Sequence, residues 1–196
     1  ILMPSRVFFC RSGLDGFVNN RGDGTLSVIN VESHKVSATI KVGGSPQEVA
    51  VSGETYPVWT ANDKGTISII AKDHSVNDIK TDINLGSVAV FSKRNQAFFV
   101  GPKAKALIMV DRKGGQKVME MSGSGVNVKG VATTPDERGV IVVHPDLNAV
   151  SIFDARVMRL QALVRVPAFP VRCLVTDDNK FALSICQNGM ALSVIE

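Results

Sequence analysis

The chain repeats itself at a step of about 41 residues, and that period restricts its fold more than any other property. One strand-like segment recurs as Thr25-Leu26-Ser27-Val28-Ile29-Asn30, Thr66-Ile67-Ser68-Ile69-Ile70-Ala71, Ala106-Leu107-Ile108-Met109-Val110-Asp111, Val150-Ser151-Ile152-Phe153-Asp154 and Ala191-Leu192-Ser193-Val194-Ile195-Glu196. Their ends, at Asn30, Ala71, Asp111, Asp154 and Glu196, are 41, 40, 43 and 42 residues apart. A second segment type precedes each across a short turn: Phe17 to Asn19, Val58 to Thr60, Phe98 to Val100, Val140 to Val143 and Phe181 to Ser184. A third lies further upstream, beginning at Val7, Val49, Val88, Val131 and Cys173, and a fourth follows at Val36 to Ile40, Val76 to Ile83, Gln116 to Met121 and Leu160 to Val166. Each unit is therefore four short strands.

The runs are rich in Val, Ile, Phe and Thr and are bounded by Gly, Asn, Asp and Pro, the grammar of strands and turns. Several, such as Val140 to Val143, are apolar on both sides, which predicts sheets covered on both faces. Four-stranded antiparallel sheets stacked side by side in a ring satisfy that requirement, so the expected fold is all-β, a β-propeller. A parallel β-helix needs a much shorter repeat, and a β-sandwich does not copy one unit at a constant step. The blades fall at about 5–43, 44–84, 85–122, 126–167 and 169–196 of a single propeller segment, 1–196. The last stops after its third strand, leaving about four and three-quarter blades. An open edge at Val194-Ile195 calls for closure, by further blades of a six- to eight-bladed ring or by a strand donated from another chain. Ile1-Leu2-Met3 is too short before Pro4 to serve.

The stretch from Phe17 through Gly24-Thr25-Leu26-Ser27-Val28-Ile29-Asn30, Lys35-Val36-Ser37-Ala38-Thr39-Ile40, Gly43-Gly44-Ser45-Pro46 and Val49-Ala50-Val51-Ser52 resembles the YVTN repeat, a relative of the WD repeat. The likeness is strongest over 17–71, and Pro135-Asp136-Glu137-Arg138-Gly139 still resembles the Pro-Asp-Gly turn of that family. Trp59 stands in a second strand and no Trp-Asp pair occurs, so the strict WD pattern is absent. What the resemblance implies is a fold, since such propellers serve many functions.

Composition excludes several classes. The net charge of +4 is spread among interspersed acids and bases, with no face built for nucleic acid. Apolar runs such as Ala106 to Val110 are far short of the roughly 20 residues of a membrane helix, so no membrane insertion is expected. The start Ile1-Leu2-Met3-Pro4 lacks a signal-peptide pattern and reads as a piece of a longer protein or a processed product. Cys10, Cys173 and Cys186 sit in apolar strands and read as buried free thiols, a lean towards the cytoplasm.

Function in such a fold should sit on the rim loops. The turns between second and third strands read Asn20-Arg21-Gly22-Asp23-Gly24, Asn62-Asp63-Lys64-Gly65, Gly101-Pro102-Lys103-Ala104-Lys105, His144-Pro145-Asp146-Leu147-Asn148 and Gln187-Asn188-Gly189. Arg21, Asp23, Asp63, Lys64, Lys103, Lys105, His144 and Asp146 are the candidate partner-facing residues. Arg21-Gly22-Asp23 spells an adhesion tripeptide, but the repeat places it where Asn62 to Gly65 does the same geometric work, so the turn accounts for it. His34, His74 and His144 read as exposed turn residues rather than metal ligands, and Asn30, Asp111 and Asp154 as caps of the following turn. Phosphate-loop, nucleophile-elbow and haem motifs do not occur, so catalytic residues, metals and cofactors are not expected. The expected function is a non-enzymatic scaffold for protein–protein interaction in a larger assembly. The alternative is a periplasmic or cell-surface YVTN-type protein, adhesive or an enzyme resembling a lactonase or quinone-dependent dehydrogenase.

Overall fold

A computed structural model describes residues 3–102, 106–121 and 127–196. Among them are nineteen strands and no α-helix. Sheet one comprises β1 (Pro4–Phe9), β2 (Asp15–Asn20), β3 (Thr25–Asn30) and β4 (Lys35–Lys41). Sheet two comprises β5 (Pro46–Val51), β6 (Val58–Asn62), β7 (Thr66–Ile70) and β8 (Val76–Lys80). Sheet three has β9 (Ser87–Phe91), β10 (Gln96–Val100), β11 (Ala106–Asp111) and β12 (Gln116–Glu120), and sheet four β13 (Gly130–Thr133), β14 (Gly139–His144), β15 (Ala149–Asp154) and β16 (Arg159–Arg165). Sheet five stops at three strands, β17 (Pro170–Val175), β18 (Ala182–Cys186) and β19 (Ala191–Ile195). In each sheet the strands lie side by side in chain order, as the repeat requires.

Burial grades across each sheet. The middle strands β6, β7 and β14 are buried at every residue, whereas the edge strands β1, β4, β12 and β16 are mostly exposed. Strands apolar on both sides thus have both faces covered. β8 ends at Lys80, short of the expected Ile83, with the Thr81 N–H adding one last bond to the Gly65 carbonyl at 2.7 Å.

The chain packs into two compact units, Ile1–Ala97 with Val110–Gly115, and Phe98–Met109 with Gln116–Glu196. In the first, Phe17, Leu26, Val28 and Ile40 of sheet one and Val42 just beyond it meet Val49, Val58 and Ile70 of sheet two in one apolar cluster. Burying each such side chain is worth about 1.5–3 kcal/mol. In the second unit, Ile141 and Val150 of sheet four pack with Ala182 and the half-buried Cys173 and Val175 of sheet five. All three thiols are free; Cys10 and Cys186 are buried and Cys173 is half-buried.

The turns follow their expected chemistry. Asn30 Oδ1 accepts the Ser33 N–H, Asp111 Oδ1 those of Lys113 and Gly115, and Asp154 Oδ1 those of Arg156 and Val157. These last two bonds hold the Asp154 carboxyl below the usual carboxylate range. The Thr134 hydroxyl donates to Asp136 at 2.6 Å and that of Thr176 to Asp178 at 2.5 Å, one turn copied 42 residues later.

Candidate functional site

Two glycine-bearing turns and parts of two strands build a cradle in the first unit. The β2–β3 turn contains Arg21-Gly22-Asp23-Gly24, and the β6–β7 turn contains Asp63-Lys64-Gly65. Gly24 and Gly65 both have left-handed φ, +67° and +65°. A Cβ on Gly24 would come within 3.1 Å of the Gly44 carbonyl oxygen, and one on Gly65 within 2.5 Å of that of Thr81. Both turns therefore need glycine for conformation and for space. The equivalence of the Arg-Gly-Asp turn with its partner in sheet two is real.

Antiparallel alternation brings parts of two further strands to the same end. Thr25 faces Lys41 across sheet one and Ser68 faces Asp78 across sheet two, so the far end of β4 and the body of β8 join the two turns. The resulting cavity has a volume of about 650 Å3, and its charged lining is Arg21, Asp23, Lys41, Lys64 and Asp78. Gly43 and Gly44 form a close wall, since a Cβ on Gly43 would meet Thr66 Cγ2 at 2.3 Å, leaving no room for a side chain, and one on Gly44 would press on Asn62 Cβ at 3.2 Å.

Hydrogen bonds stiffen this frame. The Ser45 N–H donates to Asp63 Oδ1 at 3.0 Å and the Ser45 hydroxyl to the Arg21 carbonyl at 2.9 Å, tying the two turns together. Below them Ser68 Oγ accepts from Asn62 Nδ2 at 3.0 Å and from the Gly43 N–H at 3.1 Å, and donates to Asp78 Oδ1 at 2.6 Å. Asp23 Oδ1 accepts the Thr25 hydroxyl at 2.7 Å. Both carboxylates of the cradle are thus engaged from within. Arg21, Lys41 and Lys64 are exposed, and none has an ion-pair partner among the described residues.

Of the eight sequence candidates, Arg21, Asp23 and Lys64 line the cradle and Asp63 braces it. Lys103 and Lys105 lie outside the described residues. Asp146 is exposed in the second unit, with Asn127 Nδ2 at 3.5 Å. His144 is a correction: expected in an exposed turn, it is fully buried as the last residue of β14. Pro145 disfavours helical backbone in the residue before it, so His144 stays extended, at φ −117° and ψ 93°, and pairs with Ala149. Exposure begins only at Asp146, in a short 3-10 turn, Pro145–Leu147. Burial pushes the imidazole down to about 4, so it is neutral at neutral pH. His34 and His74 are exposed turn residues as expected, both with left-handed φ. No group of three or more His, Cys, Asp or Glu side chains among the described residues is arranged to hold a metal ion.

Three features escaped sequence reasoning. Lys41 and Asp78 belong to the cradle, and the alternation of strand direction was the signal for them. A recurrent pair links the last residue of the second strand to the third residue of the third strand: Asn20 with Ser27 at 2.8 Å and Asn62 with Ser68 at 3.0 Å. The same positions carry His144 with Ser151 in sheet four. The third feature is Glu48, buried on β5, whose carboxylate takes the Arg6 guanidinium and the Ser87 hydroxyl, each at 2.5 Å, and the Val88 N–H at 3.1 Å. It joins the first strands of three successive sheets, β1, β5 and β9.

A second cavity, of about 400 Å3 in the second unit, is lined by Thr134, Asp136, Arg138, Asp154 and Arg156 among others. Its acids are occupied by their own turns, and Arg138 Nε lies 3.8 Å from Asp136.

The fold and its turns define an all-β protein of repeated antiparallel four-stranded sheets. No family model and no curated protein matches the chain. In structure it is similar to a functionally unknown protein from Desulfotomaculum acetoxidans DSM 771, with a TM-score of 0.82 and 14% identity over 100% of this chain and 69% of that one. That likeness concerns the fold alone.

Proposed function

We propose that the chain is part of a YVTN-type β-propeller of six to eight blades that acts as a non-enzymatic scaffold, presenting its rim turns to other proteins. The observation that carries the scaffold reading is the cradle: short turns, their backbone locked by Ser45, Asp63 and Ser68, present charged side chains at an open surface. A rigid backbone beneath exposed groups suits recognition, because little backbone entropy is lost on association.

The larger ring is supported by sheet five. Arg172 pairs with Ile185 and Ile185 with Leu192, while Leu174 pairs with Leu183 and Leu183 with Val194, so these side chains share one face. Leu174, Ile185, Leu192 and Val194 are about half exposed there, between 47% and 59%. An apolar face of this kind is what the faces inside each unit bury, and a further four-stranded blade is its natural cover. The longer structural neighbour is in keeping with this.

Native mass spectrometry of the full-length protein, isolated gently from its own cells, tests the scaffold reading. The expected result is a complex heavier than the protein alone. A strictly monomeric protein without a partner overturns it.

A further inference from the structure

Resting on the scaffold reading, we infer that the cradle is the docking point for an acidic peptide segment of a partner protein, whose carboxylates pair with Arg21, Lys41 and Lys64. The three cations come from separate elements, the β2–β3 turn, the end of β4 and the β6–β7 turn, and stand around one cavity. They outnumber the two carboxylates of the lining, Asp23 and Asp78, each of which also accepts a hydroxyl, from Thr25 and Ser68. Their spacing on a stiff frame offers distinct point charges to distinct carboxylates.

The cradle is poorly suited to a compact phosphate. Phosphate sites gather free backbone N–H groups into a nest. Here the N–H groups of Gly24, Gly43, Gly44 and Ser45 already donate, to the Asn20 carbonyl, Ser68 Oγ, the Val42 carbonyl and Asp63 Oδ1. Two carboxylates in the lining would also repel a concentrated dianion, whereas side chains of an extended peptide can avoid them. Nor does any aromatic side chain line the cavity for base stacking, which a single-stranded nucleic acid would use.

Fluorescence anisotropy with a fluorescein-labelled peptide of alternating Glu and Gly, at an ionic strength of about 50 mM where exposed pairs are least screened, tests this. Each exposed pair is worth at most about fivefold in affinity, so the triple reversal Arg21→Glu, Lys41→Glu, Lys64→Glu should weaken binding at least about tenfold and flatten its salt dependence. The same change of charge at exposed positions elsewhere, Lys35→Glu, Arg159→Glu, Lys180→Glu, should leave most of the binding intact. If the triple reversal fails to fold, single reversals at Lys41 and Lys64 read the same effect, each about fivefold at most. Equal loss in both triple variants means general attraction to a basic protein and overturns the inference. So does failure of the parent to bind the peptide, or tighter cradle-dependent binding of inorganic phosphate or of single-stranded RNA. Peptide binding that depends on the cradle, in a protein that remains monomeric in its cells, would refute the scaffold reading and leave the peptide site standing.

Discussion

The same two positions of the repeat carry opposite chemistry in sheets two and four. In sheet two, Asn62 Nδ2 and Ser68 join Gly43 and Asp78 in a connected set of hydrogen bonds under the cradle, while Asn62 Oδ1 has no partner among the described residues. In sheet four, His144 and Ser151 occupy equivalent places, equally buried, and neither the imidazole nitrogens nor the Ser151 hydroxyl finds a partner among the described residues. The repeat therefore keeps a slot for polarity, and only the neighbours decide how far it is satisfied. Where Gly43 and Asp78 reach in, the slot stiffens a surface feature; where Leu163 stands opposite Ser151 in place of an acid, it is a local weakness.

The largest effect should come from the other buried polar junction of the first unit. Glu48→Ala leaves Arg6, Ser87 and Val88 without their shared acceptor, and chemical denaturation should show a loss of about 3 kcal/mol. Next, Ser68→Ala strips an acceptor from Asn62 and Gly43 and a donor from Asp78, for a loss of about 2 kcal/mol. The comparison sharpens in acid. An unfolded imidazole takes its proton near 6.5 and that of folded His144 only near about 4, so stability is full above pH 6.5 and declines as pH falls towards 4. That decline should amount to roughly 1–3 kcal/mol in urea titrations. His144→Asn, the residue sheets one and two use there, should remove this share of the acid loss and gain a bond to Ser151. The smallest effect is expected for Ser151→Ala, within about 0.5 kcal/mol of the parent because no bond is lost. If Ser151→Ala proved as costly as Ser68→Ala, the contrast between the two sheets would collapse.

Much of this architecture was legible in the chain. The 41-residue step, the β-branched runs and the Gly, Asn and Asp turns located every strand, because short-range conformational preference and alternation act within a few residues. Arg21, Asp23 and Lys64 were visible as turn charges for the same reason. Lys41 and Asp78 were not, since each looks like an ordinary polar residue of an outer strand until the register places it beside a turn some 15 residues away. His144 was misplaced because a Pro after a His reads as a turn, whereas the restricted backbone prolongs the strand and carries the ring inside.

By itself the sequence determined the repeat, the strands, their antiparallel order and the residue type each tight turn requires, all consequences of local sterics and periodic apolarity. Tertiary structure alone decided which polar residues are paired and which cations share a cavity. Glu48 meets Ser87 across 39 residues and Arg6 across 42, and Gly43 meets Ser68 across 25. Such contacts depend on how whole sheets pack against one another, and the energies that reward them exist only once water has been excluded between those faces.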